Sequence, residues 1–89
     1  MKAIVTVVGK DRVGIIAEVC TTLSAYQVNV LDISQTVMQD YCTMMMAVEV
    51  SECTIPLAQL CDAMEEAGKE MGLSIKVQRE DIFQAMHRI

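Results

Sequence analysis

No apolar run in this 89-residue chain approaches the length of a membrane-spanning helix, and no basic segment leads into an apolar one at Met1. A transmembrane helix and a secretory leader are therefore not expected, and a cytoplasmic location is. Basic residues are few and scattered: seven Lys and Arg stand against twelve Asp and Glu, for a formal net charge of −5. Phosphate-backbone binding draws its affinity from counterion release at a concentrated basic surface, so nucleic acid is not an expected partner. The four cysteines at 20, 42, 53 and 61 contain no C-x-x-C pair and come with no secretory signal. They read as free thiols in a reducing compartment rather than as zinc ligands or disulfides. Cys53 differs in standing just before a helix, where the macrodipole would favour a thiolate. His87 is the one histidine; with no nucleophile in a recognised motif it reads as a surface or tail-docking residue. Glu65, Glu66 and Glu70 read as a solvated helix face, not as paired catalytic carboxylates. No catalytic constellation, metal site or cofactor is expected, and enzyme is not the expected class.

What is present is a small domain in which 53% of residues are hydrophobic. Surface scaling gives a folded monomer that buries only about 64% of the surface exposed by its unfolded chain, so a second copy would help it. Residues Lys2 to Gly9 are a β-branched run stopped by glycine, a strand with apolar residues on both faces. Val13, Ile16, Ala17, Cys20 and Leu23 then recur at helical spacing. Val28 to Met38 and Tyr41 to Val50 flank Gln39-Asp40 as a hairpin, although the turn lacks the favoured Asn-Gly. In Met44-Met45-Met46, alternation sends the central residue to the opposite face. Thr54 and Pro56 suit a helix start; Leu57, Leu60, Cys61, Met64, Ala67 and Met71 continue it to Gly72, with Gly68 its weak point. Leu73, Ile75 and Val77 alternate with polar residues as a half-buried strand, and Asp81 to His87 suits a short docking helix.

The order predicts an α+β, ferredoxin-like βαββαβ fold: a four-stranded antiparallel sheet with two helices on one face and a short C-terminal helix. The chain reads as one domain over 1–89, with a core over 1–80 and a helix or tail over 81–89. Two helices on one face leave the other for water or for another chain. A second copy would cover it face to face or would extend the sheet across a two-fold axis.

The turn Gly9-Lys10-Asp11-Arg12-Val13-Gly14-Ile15-Ile16 joins the first strand to the first helix. Free backbone N–H groups at a helix start suit a carboxylate, Gly14 admits a ligand without a Cβ in the way, and Asp11 suits an ammonium group. An α-amino acid carries both charges. The same residues also fit a plainer role, with Asp11 capping the helix and Gly14 permitting close packing. The spacing matches neither the P-loop nor the dinucleotide fingerprint.

At Asp11-Arg12-Val13-Gly14-Ile15, and at Val28-Asn29-Val30 opening the second strand, the chain resembles an ACT domain, a small regulatory module of amino-acid metabolism. It is most similar to the short stand-alone ACT proteins of bacteria and archaea, through its first ten residues, Asp32-Ile33-Ser34-Gln35-Thr36-Val37 and Asp81-Ile82-Phe83-Gln84-Ala85-Met86. It also resembles the ACT modules of the glycine-cleavage regulator. The resemblance implies a homodimer or higher homo-oligomer that binds an amino acid or similar small molecule at a subunit interface and signals to a regulated protein partner. Ligand-binding residues by motif position are Asp11, Arg12, Val13, Gly14, Ile15 and Asn29. In related modules Asn is frequent at the position of Asp11, and proline at that of Val13. The alternative is a pure interaction module that contacts a regulator or metabolic enzyme without a metabolite. Asn29 also fits a turn closing the first helix.

Overall fold

The computed structural model describes residues 1–86, so the expectation placed on His87 lies outside the described residues. Strand β1 (Lys2–Lys10) leads to helix α1 (Ile15–Ala25), strands β2 (Asn29–Met38) and β3 (Tyr41–Glu49), helix α2 (Leu57–Met71), strand β4 (Ser74–Arg79) and helix α3 (Glu80–Met86). All three pairings are antiparallel, in the order β2-β3-β1-β4. This is the expected ferredoxin-like βαββαβ arrangement with a short C-terminal helix. Among the described residues no helix is long and apolar enough to cross a membrane.

Alternation decides the layering, because successive side chains of a strand point to opposite faces. Ala3, Val5 and Val7 of β1 are buried beside Cys42, Met44, Met46 and Val48 of β3 and Ile75 and Val77 of β4. Over this face pack Ile15, Val19 and Leu23 of α1 and Leu60 and Met64 of α2. Each such side chain contributes roughly 1.5–3 kcal/mol on leaving water. Met45 points the other way and is partly exposed, as its place between buried Met44 and Met46 requires.

The buried stripe of α1 is not the expected Val13, Ile16, Ala17, Cys20 and Leu23. It is Ile15, Val19 and Leu23, with Cys20 partly buried. The helix starts only at Ile15, which leaves Val13 in the preceding turn at 98% exposure. Both stripes share Leu23, and the sheet, not the periodicity, selects between faces about 100° apart.

The opposite face is covered only in part. Ile4 and Thr6 are half-buried, and Val8 is exposed. Helix α3 follows β4 without a linker and lies over the β1–β4 half, where Phe83 and Met86 line a hollow with Thr6, Met45, Lys76 and Gln78. The β2–β3 half stays open. Strands β2 and β4 are the two edges of the sheet, and on β2 every residue from Leu31 to Met38 is exposed.

Local geometry explains two weak signals. The Gln39-Asp40 hairpin turn places Gln39 at φ 57°, a conformation that Asn or Gly would adopt with less strain. Thr54 does not cap α2: its amide donates to the Tyr26 carbonyl at 3.0 Å, and Pro56 holds the cap position. Cys53 lies four residues ahead of Leu57 and packs against the core.

Gly68 looks like a helix defect in the sequence, yet it is where α2 meets the start of β4. A Cβ there would lie 2.8 Å from the Leu73 carbonyl oxygen and 3.0 Å from Ile75 Cγ1. At an exposed helix site, replacing glycine by alanine stabilises by about 1 kcal/mol. Here overpacking, at roughly 1–3 kcal/mol, should outweigh that gain. Gly68→Ala is therefore expected to lower the melting temperature by several degrees in calorimetry; a rise would show that α2 and β4 have room to part.

Candidate ligand-binding cleft at the start of the first helix

The β1–α1 turn is held at both ends. The Asp11 amide donates to the Asp40 carbonyl at 2.7 Å, which ties the turn to the β2–β3 hairpin. Gly14 occupies the cap position of α1 at φ 92°, and no side chain caps the helix. Asp11 therefore does not serve as a cap. Close packing does not explain Gly14 either, since a Cβ at this position would meet only Glu18 Oε1 at 3.9 Å. The left-handed backbone is what requires glycine.

The first intrahelical bond runs from the Glu18 amide to the Gly14 carbonyl, at 2.9 Å. The amides of Ile15, Ile16 and Ala17 precede it and have no partner within the helix. They border an open cleft of about 400 Å³ lined by Arg12, Gly14, Ile15, Ile16, Ala17 and, from β2, Gln35. Such a helix start favours negative charge through both its donors and its dipole. Gln35 lines the cleft because it pairs with Met44 and so lies on the helix side of the sheet, where it stays exposed. Its Nε2 donates to the buried Cys42 Sγ at 3.0 Å, a weak acceptor.

Arg12 is oriented by its own chain. Its guanidinium pairs with both carboxylate oxygens of Glu18, at 2.9 and 3.1 Å, and donates to the Met71 carbonyl at 3.2 Å. This contact holds Glu18 below the usual carboxylate range and Arg12 above its own ordinary value, chiefly through the hydrogen bonds.

Of the six expected site residues, Asp11, Arg12, Val13, Gly14 and Ile15 form one continuous turn, with Asp11 and Val13 exposed and Ile15 buried. Asn29 is not with them. It starts β2 and pairs with Glu49, which faces Lys2, so it lies at the other end of the sheet from Lys10. Eight positions of strand separate it from Val37, beside the turn, or about 25 Å. Sequence reasoning missed Gln35, Ile16 and Ala17 as cleft residues. The segment 32–37 was visible as a feature, but only the sheet order shows which of its side chains face the helices.

All four cysteines are free. Cys61 Sγ donates to the Val77 carbonyl at 3.2 Å, and burial, with Asp62 beside it, raises the thiol pKa. A hollow of about 300 Å³ between α2 and β4 is lined by the solvated side chains of Glu65, Lys69 and Lys76 and contains no helix start.

A βαββαβ sheet with an open cleft between the first helix and the edge strand defines a small ferredoxin-like α+β module. A family model for the ACT domain matches residues 2–78, and the chain belongs to that family. It is 48% identical to a UPF0237 protein of Clostridium acetobutylicum over 89 residues, the full length of both. A solved ACT domain protein from Streptococcus pneumoniae is 41% identical and superimposes with a TM-score of 0.83 over 98% of each chain. The regulatory subunit of aspartate kinase from Thermus thermophilus, at 22% identity and a TM-score of 0.69, shares the fold over 89% of this chain and 51% of its own.

The Glu18 carboxyl should titrate below its ordinary value near 4.5. Because folding lowers this pKa, the pair's stabilisation is complete above that value and disappears as pH falls through the lowered one. Carbon-detected NMR titration should return Glu18 to the ordinary range in Arg12→Gln; an unchanged midpoint would mean that the contact does not persist in solution.

Proposed function

We propose that the protein is a non-enzymatic regulatory module that binds a small amino-acid-like molecule in this cleft, acts as a homodimer and passes the ligand's presence to another protein. The observation that carries the reading is the open cleft lined by Gln35 and by Ile15, Ile16 and Ala17, whose amides have no helical partners. A carboxylate suits the helix start, and Asp11 in the same turn suits an ammonium group. Membership of the ACT-domain family supports this reading of the cleft.

The exposed β2 edge supports homodimerisation. Strand β2 presents unpaired backbone groups with exposed Leu31, Ile33 and Val37 beside exposed Ile16. A bare apolar edge is a template for a further strand. Ligand would bind one dimer arrangement better than another, as any signal requires.

A thermal-shift panel of amino acids tests the ligand. At a hundred times its Kd a true ligand should stabilise the protein by about 2.7 kcal/mol, a rise on the order of 10 °C. The rise should shrink in Asp11→Ala. No shift with any amino acid, together with recovery of a stable heteromeric partner by ligand-free protein, would favour the pure interaction module instead. Sedimentation tests the dimer: the native chain should sediment as two subunits and Ile33→Lys as one, whereas a native monomer would remove the edge-pairing claim.

A further inference from the structure

Arg12 touches both the cleft and a second helix. It lines the cleft beside Gly14, while its guanidinium lies on the Glu18 carboxylate and on the Met71 carbonyl. Met71 is the last residue of α2, one step before Gly72 and three before β4. Last-turn carbonyls of a helix have no intrahelical donor, so this bond satisfies a group that would otherwise need water. The same arginine therefore anchors the start of α1 to the end of α2.

Glu18 is the carboxylate that occupies it. It belongs to the first turn of α1, and its Oε1 stands 3.9 Å from the place a Cβ of Gly14 would take. A paired, two-point contact is the geometry in which guanidinium binds carboxylate best, and any carboxylate entering the cleft meets an arginine already engaged in that way. Both partners are well exposed, with side-chain exposures of 37% and 47%. A solvent-exposed pair is worth little net energy, so an incoming anion can displace it.

We propose that Glu18 is a built-in competitor that holds Arg12 on α2 while the cleft is empty. A carboxylate-bearing ligand draws Arg12 off Glu18 and Met71 and so releases the end of α2 and its joint with β4. The proposal rests on the cleft reading above and adds the means by which occupancy is felt elsewhere in the fold. Arg12 is then a switch between two carboxylates, one internal and one from the ligand, and the Met71 carbonyl reports which one holds it.

The test is an NMR titration of the isotope-labelled full chain with sodium acetate at constant ionic strength, in the native protein, Glu18→Gln, Arg12→Gln and the double variant. Acetate should shift the Gly14, Ile15, Ile16 and Ala17 amides of the native protein. It should also move Gly72 and Leu73 there, but not in Arg12→Gln. Glu18→Gln should bind acetate a few-fold more tightly, and this gain should vanish in the Arg12→Gln background. A merely structural role for the pair would weaken binding in Glu18→Gln rather than strengthen it. Equal affinity in native protein and Glu18→Gln, or a gain that survives without Arg12, would overturn the switch while leaving the cleft reading intact. Unmoved Gly14 to Ala17 amides in all four proteins would overturn both.

Discussion

The structure depends on burying one face of a four-stranded sheet under two helices that leave most of the β2 edge exposed. Ala3, Val5 and Val7 lie at the centre of that buried face, with the large side chains of Met44, Met46, Leu60 and Met64 closing around them. Among the described residues the core contains no buried polar or charged residue, so hydrophobic burial stabilises it without competing desolvation costs. The helices bury the facing side chains of β1, β3 and β4 and leave β2 exposed from Leu31 to Met38. The cleft opens there, between Gln35 on the helix side of β2 and the start of α1.

The cleft also depends on a backbone detail. With Gly14 in a left-handed conformation, the chain turns from β1 into α1 without using a side chain as a cap, and the first-turn amides remain unspent. A Ser or Asp cap would have consumed one of them. The anchoring that a cap would have supplied comes instead from two longer connections, the Asp11 amide on the Asp40 carbonyl and the Arg12 bridge from Glu18 to Met71. Stability of the turn and availability of its donors are thereby separated. That separation is what a binding turn needs, and family membership alone does not establish it.

Much of this was legible from side-chain chemistry. A β-branched run in 2–9 and alternation in 41–50 and 73–77 mark strands, because such residues fit and repeat with the pleat. The turn 9–16 stands out because glycine and charged residues interrupt two apolar segments. Features set by neighbours distant in sequence were not legible. The stripe of α1 was misplaced because Ile15 and Ile16 are chemically alike, and only the sheet beneath distinguishes them. Gly68 reads as a flaw until Leu73 and Ile75 are seen against it. Arg12 reads as a ligand contact, with nothing in the local spacing to show that its guanidinium would be held by Glu18 and by a carbonyl 59 residues away.

The amino-acid sequence by itself determined the order and type of the elements and the residues of the β1–α1 turn, since these rest on local periodicity and local turn chemistry. Tertiary structure alone decided which strands became the edges, which side of β2 met the helices, that Asn29 lies at the far end from its expected companions, and where Arg12 is held. The physical reason is that strand order and helix coverage are properties of long-range packing. Each residue's face is chosen by what lies across from it, and that is not written in its neighbours along the chain.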